Sequence, residues 1–171
     1  RLLTVVTPLF RYPDFDRRVA FVNAQLEQIR AIPGVTNAGA ISRVPLTVND
    51  QATFYRLASQ SRDEARDQVA LSRVVTGGYF ATVGAQLREG RFFETSDRRS
   101  DAPAAIVNET FANRHFPGRS PLGERFQFGT FGPKAYVYSI VGVVKEIRDR
   151  GVAEELPPTI YRLHEQADQS W

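Results

Sequence analysis

The 171-residue sequence contains no cysteine and no methionine. Without cysteine the chain can form no disulfide, has no thiol nucleophile and offers no thiolate ligand to zinc or to an iron–sulfur cluster. Without methionine it has no start residue of its own, since it begins at Arg1, and no signal peptide is recognisable. We therefore expect the sequence to be a segment of a longer protein.

Histidine is also scarce, because only His115 and His164 are present. Neither has a second histidine or a carboxylate at metal-ligand spacing on a shared helix face. No Gly-x-Ser-x-Gly motif accompanies them, and residues 129–134 carry glycines and a lysine but lack a phosphate-binding Gly-Lys-Ser/Thr. We expect His115 to contact carbonyls at a helix end and His164 to lie on the surface. The sequence predicts no catalytic residue, no metal and no cofactor.

Long apolar runs and blocks of one charge are missing as well. The densest apolar run, residues 140–144, is far shorter than the roughly 18 residues of a membrane-spanning helix. The 22 basic and 19 acidic residues alternate along the chain, and the net charge is only +3. A nucleic-acid surface needs clustered basic residues, so this function is disfavoured. The apolar fraction of 42% is that of a globular domain.

The first part of the chain shows a strand–helix–strand pattern. Residues 2–7 are apolar and β-branched, which predicts a strand, and residues 35–41 predict a second one. Between them, apolar residues at helical spacing predict a helix that Asp14 caps and Pro33 ends. The predicted buried face of this helix consists of Phe15, Val19, Val22, Leu26 and Ile29. Strands predicted at 53–59 and 69–75 would extend the same small sheet.

A change in composition at residues 76–78 predicts a domain boundary. We assign residues 1–75 to a first lobe and residues 76–171 to a second, with Gly77 and Gly78 as a candidate hinge, since glycine permits backbone movement. In the second lobe we predict a helical turn at 79–83 and a buried strand at 104–107. Asn108 is predicted to cap a helix at 109–115. A hairpin of 124–128 with 135–144 and a strand at 159–163 complete the prediction.

The order of several short motifs resembles a known family. Each is a turn or strand that many domains contain, but seven occur in one colinear series. They are PGV (33–35), GYF (78–80), GRFF (90–93), AIVNE (105–109), FPG (116–118), PLG (121–123) and IVGVV (140–144). The series is similar to the periplasmic core domain of MacB-type ABC transporter permeases, within the FtsX/MacB group, and more closely to those without a fused ATPase. The resemblance covers residues 8–166.

The resemblance implies an α+β domain of two lobes between the first two transmembrane helices of a permease. Residues 1–75 would form a porter-like αβ lobe that lacks its C-terminal returning segment, and residues 76–171 an inserted, mixed α/β lobe of the Sabre type. It also implies a non-catalytic role in efflux on the periplasmic side. The implied partners are the transmembrane helices, a separate cytoplasmic ATPase, a periplasmic adaptor and a second permease copy.

Two other function classes stay open at this point. An extracytoplasmic sensory or solute-binding domain of a membrane receptor would have a similar αβ composition and aromatic content. A small hydrolase is disfavoured, because no pair of nucleophile and base can be named. The lobe without its returning segment is expected to leave an open sheet edge or an exposed apolar patch, through which the isolated chain would associate.

Overall fold

A computed structural model of the chain describes residues 3–5, 14–43, 52–61, 63–64, 68–99, 102–129, 131–132, 135–147 and 157–167. Its α-helices are α1 (Phe15–Arg30), α2 (Tyr79–Thr82) and α3 (Glu109–His115). Its strands are β1 (Ala52–Leu57), β2 (Val69–Val75), β3 (Leu87–Gly90), β4 (Ala104–Asn108), β5 (Arg125–Phe128), β6 (Val137–Val144) and β7 (Thr159–Leu163). Short 3₁₀ helices lie at Thr95–Arg99 and His164–Gln166. No helix within these residues is both long and apolar enough to cross a membrane.

The seven strands form one sheet in the order β3-β6-β4-β7-β2-β1-β5. Strand β5 also pairs with β6, so that every strand except β3 belongs to a closed ring of paired strands, which we call the ring. The pairs β2–β7 and β4–β6 are parallel, and the other pairs are antiparallel. Strand β3 joins the C-terminal half of β6, beyond the residues that pair with β5.

The interior of the ring holds the larger hydrophobic core. Alternate residues of a strand point to opposite faces, and this core takes every second residue, such as Tyr55 and Leu57 in β1 or Phe126 and Phe128 in β5. All six ring strands contribute side chains to this core. Side chains from six strands of a closed ring can meet only in its interior, so these side chains face inward. Helix α3 adds Phe111 to it, and the rings of Phe111 and Tyr55 lie 5.1 Å apart.

A second core lies on the outer face of the ring. It joins Tyr79 and Phe80 of α2 to outward-facing residues of β2, β4, β6 and β7, among them Tyr161. The ring of Phe80 meets that of Tyr161 edge to face with centroids 5.2 Å apart. Aromatic rings prefer such tilted contacts, because the positive edge of one meets the negative face of the other. Helix α2 therefore covers one side of the ring.

Helix α1 is confirmed at the predicted position. Its cap is Asp14, whose carboxylate accepts a hydrogen bond of 3.0 Å from the backbone N–H of Arg17 and so satisfies a donor that the first turn leaves free. The predicted apolar face is only partly covered. Val22 and Leu26 are buried, while Phe15 and Val19 are half-buried and Ile29 is exposed.

The strand predicted at residues 35–41 is wrong. Residues 35–40 form no strand, and a single isolated bridge joins Ile41 to Val75. The segment contains Asn37, Ala38 and Gly39, which are poor strand residues, and side chains bind two of its backbone groups, the carbonyl of Ala38 and the N–H of Ala40. Of the strand predicted at 2–7, only residues 3–5 are described, and they have no regular secondary structure.

The predictions for the rest of the chain are confirmed more closely. Strands β1, β2, β4 and β7, the hairpin β5–β6 and helices α2 and α3 all lie where the sequence predicted them, within a few residues. Asn108 caps α3 by accepting a hydrogen bond from the backbone N–H of Phe111 at 3.1 Å. The chain is thus a mixed domain with few helices and one large sheet.

The ring includes strands from both of the predicted lobes. Strands β1 and β2 precede residue 76, yet β1 pairs with β5 and β2 pairs with β7. The sheet therefore shows no division at the boundary predicted between residues 75 and 76. The organisation into lobes of residues 1–75 and 76–171 stays a prediction.

Candidate coupling site

Helix α1 is connected to the ring through a segment that lies along the open side of β2. The backbone N–H of Ser42 donates to the carbonyl of Val74 at 2.8 Å, and that of Thr76 donates to the carbonyl of Ala40 at 3.0 Å. Strand β1 pairs only with the first residues of β2, which leaves this stretch of β2 accessible. We call residues 38–42 and 74–78 together the α1 junction.

Side-chain oxygens complete the pairing at the α1 junction. The hydroxyl oxygen of Thr76 accepts a hydrogen bond from the backbone N–H of Ala40 at 2.9 Å. The hydroxyl oxygen of Ser42 accepts one from the backbone N–H of Val74 at 3.1 Å. The Arg30 guanidinium, at the end of α1, donates to the carbonyl of Ala38 at 2.8 Å. The segment is therefore held on both sides, by β2 and by the end of α1.

Two glycines permit a very close approach of the backbones at the α1 junction. A Cβ atom on Gly78 would lie 2.7 Å from the carbonyl oxygen of Ala38, and one on Gly39 would lie 2.5 Å from the Cα of Tyr79. Real Cβ atoms essentially never come so close to other heavy atoms, so larger residues would push the two segments apart. The glycines are needed here for their lack of a side chain.

The candidate hinge residues lie within this region. Gly77 and Gly78 form a turn between β2 and α2. Gly78 has a φ of −79°, which any residue can adopt, and its place is explained by the close approach to Ala38. No heavy atom lies within 4 Å of the position that a Cβ on Gly77 would take. Whether the turn moves stays a prediction.

A buried histidine provides a second connection between α1 and the ring. His164 directly follows β7, is only 1% exposed, and its Nε2 lies 3.0 Å from Oδ1 of Asn23 in the middle of α1. The prediction that His164 lies on the surface is therefore wrong. Leu163 and Ala167, which lie close to His164 along the chain, are also buried. The local sequence does not predict that α1 packs over His164.

An acidic side chain stands next to this histidine. Oε2 of Glu165 lies 2.6 Å from Nδ1 of His164, and Oε1 of Glu165 lies 2.9 Å from Nε of Arg98. Burial by itself would raise the pKa of the Glu165 carboxyl, but the bond to His164 and the charges of His164 and Arg98 lower the pKa below its ordinary value of 4.5. The carboxylate therefore stays ionised and links the segment after β7 to the 3₁₀ helix at Thr95–Arg99.

His115, the other histidine, contacts a tyrosine and not the helix carbonyls that were predicted. Its Nε2 lies 2.5 Å from the hydroxyl oxygen of Tyr55. Burial raises the pKa of Tyr55 to about 12, whereas burial and the charge of Arg114 lower the pKa of His115 below 6.5. Both shifts favour the neutral pair, in which the tyrosine hydroxyl donates to the imidazole. The pair connects α3 to β1 and so closes one end of the inner core.

An arginine lies inside the ring. Arg162 of β7 donates to the hydroxyl of Ser72 in β2 at 3.0 Å and to that of Tyr138 in β6 at 3.3 Å. Its guanidinium lies 4.6 Å from the centroid of the Phe128 ring in β5, a cation–π contact. The side chain contacts residues of three other strands, β2, β5 and β6, and we assign it a structural role. Sequence reasoning missed it, because a charged residue in a strand is normally expected to face solvent.

The described part of the chain contains no group of three His, Cys, Asp or Glu side chains that could hold a metal ion. Its polar clusters include the α1 junction, the contacts of His164 with Asn23 and of Glu165 with Arg98, the His115–Tyr55 pair and the Arg162 contacts. Each of them joins secondary-structure elements that are far apart in sequence. Two of these clusters, the α1 junction and the contact of His164 with Asn23, hold α1 on the ring.

The chain belongs to the MacB-like periplasmic core domain family, whose model matches residues 2–162. The match confirms the resemblance that the seven motifs indicated. No curated protein sequence matches the chain.

Two solved structures are similar to the chain in fold. The periplasmic region of MacB from Actinobacillus actinomycetemcomitans superposes with a TM-score of 0.54 at 14% identity, over 85% of this chain and 56% of that one. The extracellular domain of the noncanonic ABC-type transporter YknZ from Gram-positive bacteria gives a TM-score of 0.55 at 18% identity, over 88% of this chain and 66% of that one. The chain thus spans between about half and two thirds of these relatives.

Proposed function

We propose that the chain is the extracytoplasmic domain of an ABC-type permease and that it passes conformational changes between membrane helices and a partner outside the membrane. In this proposal the domain performs no chemistry. The permease has no fused ATPase, so a separate cytoplasmic ATPase supplies the energy. An adaptor protein or the cargo itself is contacted on the extracytoplasmic side, and two permease copies form the active transporter during export.

Family membership and the two similar structures support the location of the domain. The family is defined by a periplasmic core domain, and the two neighbours are the periplasmic region of MacB and the extracellular domain of an ABC-type transporter. Transfer of the permease role from those proteins to this one is part of the proposal.

The α1 junction is the observation that carries the proposal of a transmitting role. Helix α1 is bound to the ring at two separate places, the α1 junction and the bond between Asn23 and His164. A helix held at two points cannot turn or slide without displacing the ring. Close-packed elements with discrete contacts transmit such displacements, because the packing deforms little.

The candidate hinge is part of the same proposal. The turn of Gly77 and Gly78 directly follows Thr76, the last β2-side residue whose side chain binds the segment from α1. Gly77 has open space around it, whereas Gly78 is packed against Ala38. We therefore place the movable backbone at Gly77, in the part of the α1 junction that leads into α2.

Breaking and restoring the α1 junction tests the transmitting role. In the full-length permease with its ATPase in liposomes, Ser42→Ala with Thr76→Val removes both side-chain acceptors of the junction. We expect the rate of ATP hydrolysis to change by about twofold or more, the range in which coupling elements act. A cysteine pair, Ile41→Cys with Val75→Cys, is then added. The domain has no other cysteine, and residues 41 and 75 are bridge partners at a separation that suits a disulfide.

Oxidation of this cysteine pair is expected to restore the original rate, and reduction is expected to abolish the restoration. The exposed α1 residue Gln28, changed to Ala, serves as a control that leaves the rate unchanged. An unchanged rate in the Ser42→Ala, Thr76→Val variant, with the domain folded, would contradict the proposal. So would an altered rate that the disulfide does not correct.

A further inference from the structure

The outer face of β1 and β5 carries a group of exposed side chains on neighbouring strands. Phe54 and Val69 are directly opposite each other in the β1–β2 pair, and Arg56 follows Phe54 on the same face. Arg56 is opposite Gln127 of β5, and Arg125 lies two residues before Gln127 on that face. We call Phe54, Arg56, Val69, Arg125 and Phe131 the Phe54 surface.

The Phe54 surface is open, unlike the rest of the outer face. Phe54 is 52% exposed, Val69 41% and Phe131 36%. Elsewhere on the outer face, residues such as Val75 of β2 and Tyr161 of β7 are buried against α2 and the segment that follows it. Contiguous exposed aromatic and aliphatic residues on a rigid sheet are a common feature of surfaces that bind another protein.

The charge of this surface is of one sign. The Arg56 guanidinium lies 5.5 Å from the centroid of the Phe131 ring and donates to Oε1 of Gln127 at 2.7 Å, so it is held in place. Arg125 is exposed. Among the described residues neither arginine forms an ion pair with a carboxylate. A guanidinium has five N–H donors and binds carboxylates with high geometric specificity.

We propose that the Phe54 surface binds a segment of a partner protein in which apolar side chains flank an Asp or Glu. The apolar side chains would cover Phe54 and Val69, and the carboxylate would pair with Arg56 and Arg125. Arginine and aromatic residues dominate the energy of many interfaces, and a positive surface selects an acidic partner. The inference rests on the proposed function, since it names the chemistry of the adaptor or cargo contact.

Selection from a random peptide library displayed on phage tests this surface, with the whole 171-residue chain as the immobilised protein. We expect enrichment of peptides that combine Asp or Glu with aromatic or aliphatic residues. The selected peptides, synthesised and titrated, should bind at least about tenfold more weakly to Phe54→Ser and to the double variant Arg56→Gln, Arg125→Gln. Leu87→Ser is the matched control, since Leu87 is similarly exposed, at 37%, but lies on β3.

Several outcomes would overturn the inference. These are enrichment of basic or uncharged peptides, or binding that both surface variants leave intact. Dimerisation in sedimentation that Phe54→Ser abolishes would show that a second copy of the chain occupies the surface. Binding to vesicles of an anionic phospholipid that the double arginine variant abolishes would show a membrane contact instead. The variant Thr76→Val, which alters the α1 junction, is expected to bind the peptides normally. Peptide binding therefore tests the Phe54 surface separately from the proposed transmitting role of the α1 junction.

Discussion

Nε2 of His164 and Oδ1 of Asn23 lie 3.0 Å apart and are separated by 141 positions in the sequence. Through this contact the residue that follows the last strand binds the middle of the first helix. The histidine is almost completely buried, so its ring nitrogens have lost their water and depend on protein partners. The contact therefore contributes to the position of α1 on the ring.

Asn23→Ala is expected to loosen α1 and to leave the ring intact. Removing the partner of a buried polar group costs about 1–3 kcal/mol, and the cost should appear as easier local opening. Amide hydrogen exchange in α1 should become about tenfold faster or more, while exchange in β4, β6 and β7 stays unchanged. Gln28→Ala on the exposed side of α1 is the control. Unchanged exchange in α1, or equal acceleration everywhere, would contradict this.

Gly78→Ala is expected to destabilise the domain. The added Cβ would lie 2.7 Å from the Ala38 carbonyl oxygen and 2.9 Å from Nη2 of Arg30, so the α1 junction must open. Overpacking of this kind costs about 1–3 kcal/mol in the free energy of unfolding. Gly77→Ala, one residue earlier, meets no heavy atom within 4 Å and should be neutral or slightly stabilising. Urea denaturation of both variants measures the difference, and equal midpoints would refute the packing argument.

Asn108→Ala is expected to be among the more damaging single substitutions. The Asn108 carboxamide accepts from the N–H groups of Phe111 and Thr159 at 3.1 and 2.9 Å, and donates to Glu146 and to the carbonyl of Pro157. Loss of the helix cap and of buried bonds together should cost about 2–4 kcal/mol. Asp14→Ala removes only an exposed cap and should cost about 1 kcal/mol. Thermal unfolding compares the two, and a smaller effect at Asn108 than at Asp14 would contradict this reasoning.

The contact between His115 and Tyr55 predicts a loss of stability on mild acidification. The pKa of His115 is below its ordinary value of 6.5 in the folded chain, because the ring is buried and lies near Arg114. As the pH falls through 6.5, the unfolded chain binds a proton that the folded chain does not, so the free energy of unfolding decreases. Above this pH the effect is absent.

His115→Gln removes this titration and keeps a side-chain acceptor for the Tyr55 hydroxyl. The decrease in unfolding free energy between about pH 7.5 and pH 5.5 should therefore be smaller in the variant than in the original chain. Denaturant unfolding at several pH values measures it. A decrease of the same size in both proteins would show that His115 is not responsible.

Features that depend on short stretches of sequence could be predicted well. The cap at Asn108 and the β5–β6 hairpin are encoded by residues a few positions apart, so local rules apply to them. The apolar spacing predicts helix α1 correctly, but it does not predict how much of the apolar face is buried. Ile29 fits the helical pattern and is nevertheless exposed, since burial depends on what packs against the helix.

Features that depend on distant contacts were missed. The ring closes through pairs of strands that are far apart in the sequence. Strand β2 pairs with β7, and Ser72 and Arg162 in these two strands are 90 positions apart. No local sequence pattern specifies such a pair. The role of Arg162 follows from that closure, because it places this side chain inside the ring, whereas the role of His164 follows from the packing of α1 against the end of β7. The segment at 35–41 begins and ends with strand-type residues, but its backbone groups are bound partly by the side chains of Thr76 and Arg30.

The closure of the ring has a mechanical consequence. An open sheet under load peels apart from its outermost strand, one hydrogen bond after another. The ring has no outermost strand, and the one described strand that lies outside it is β3. A pull on α1 would reach the sheet at Val74 and Thr76, beside the part of β2 that pairs with β7, and would pass along β2 to residues 69–71, which pair with β1. Tension then divides between two directions around the circle, and the domain can bear force without unravelling.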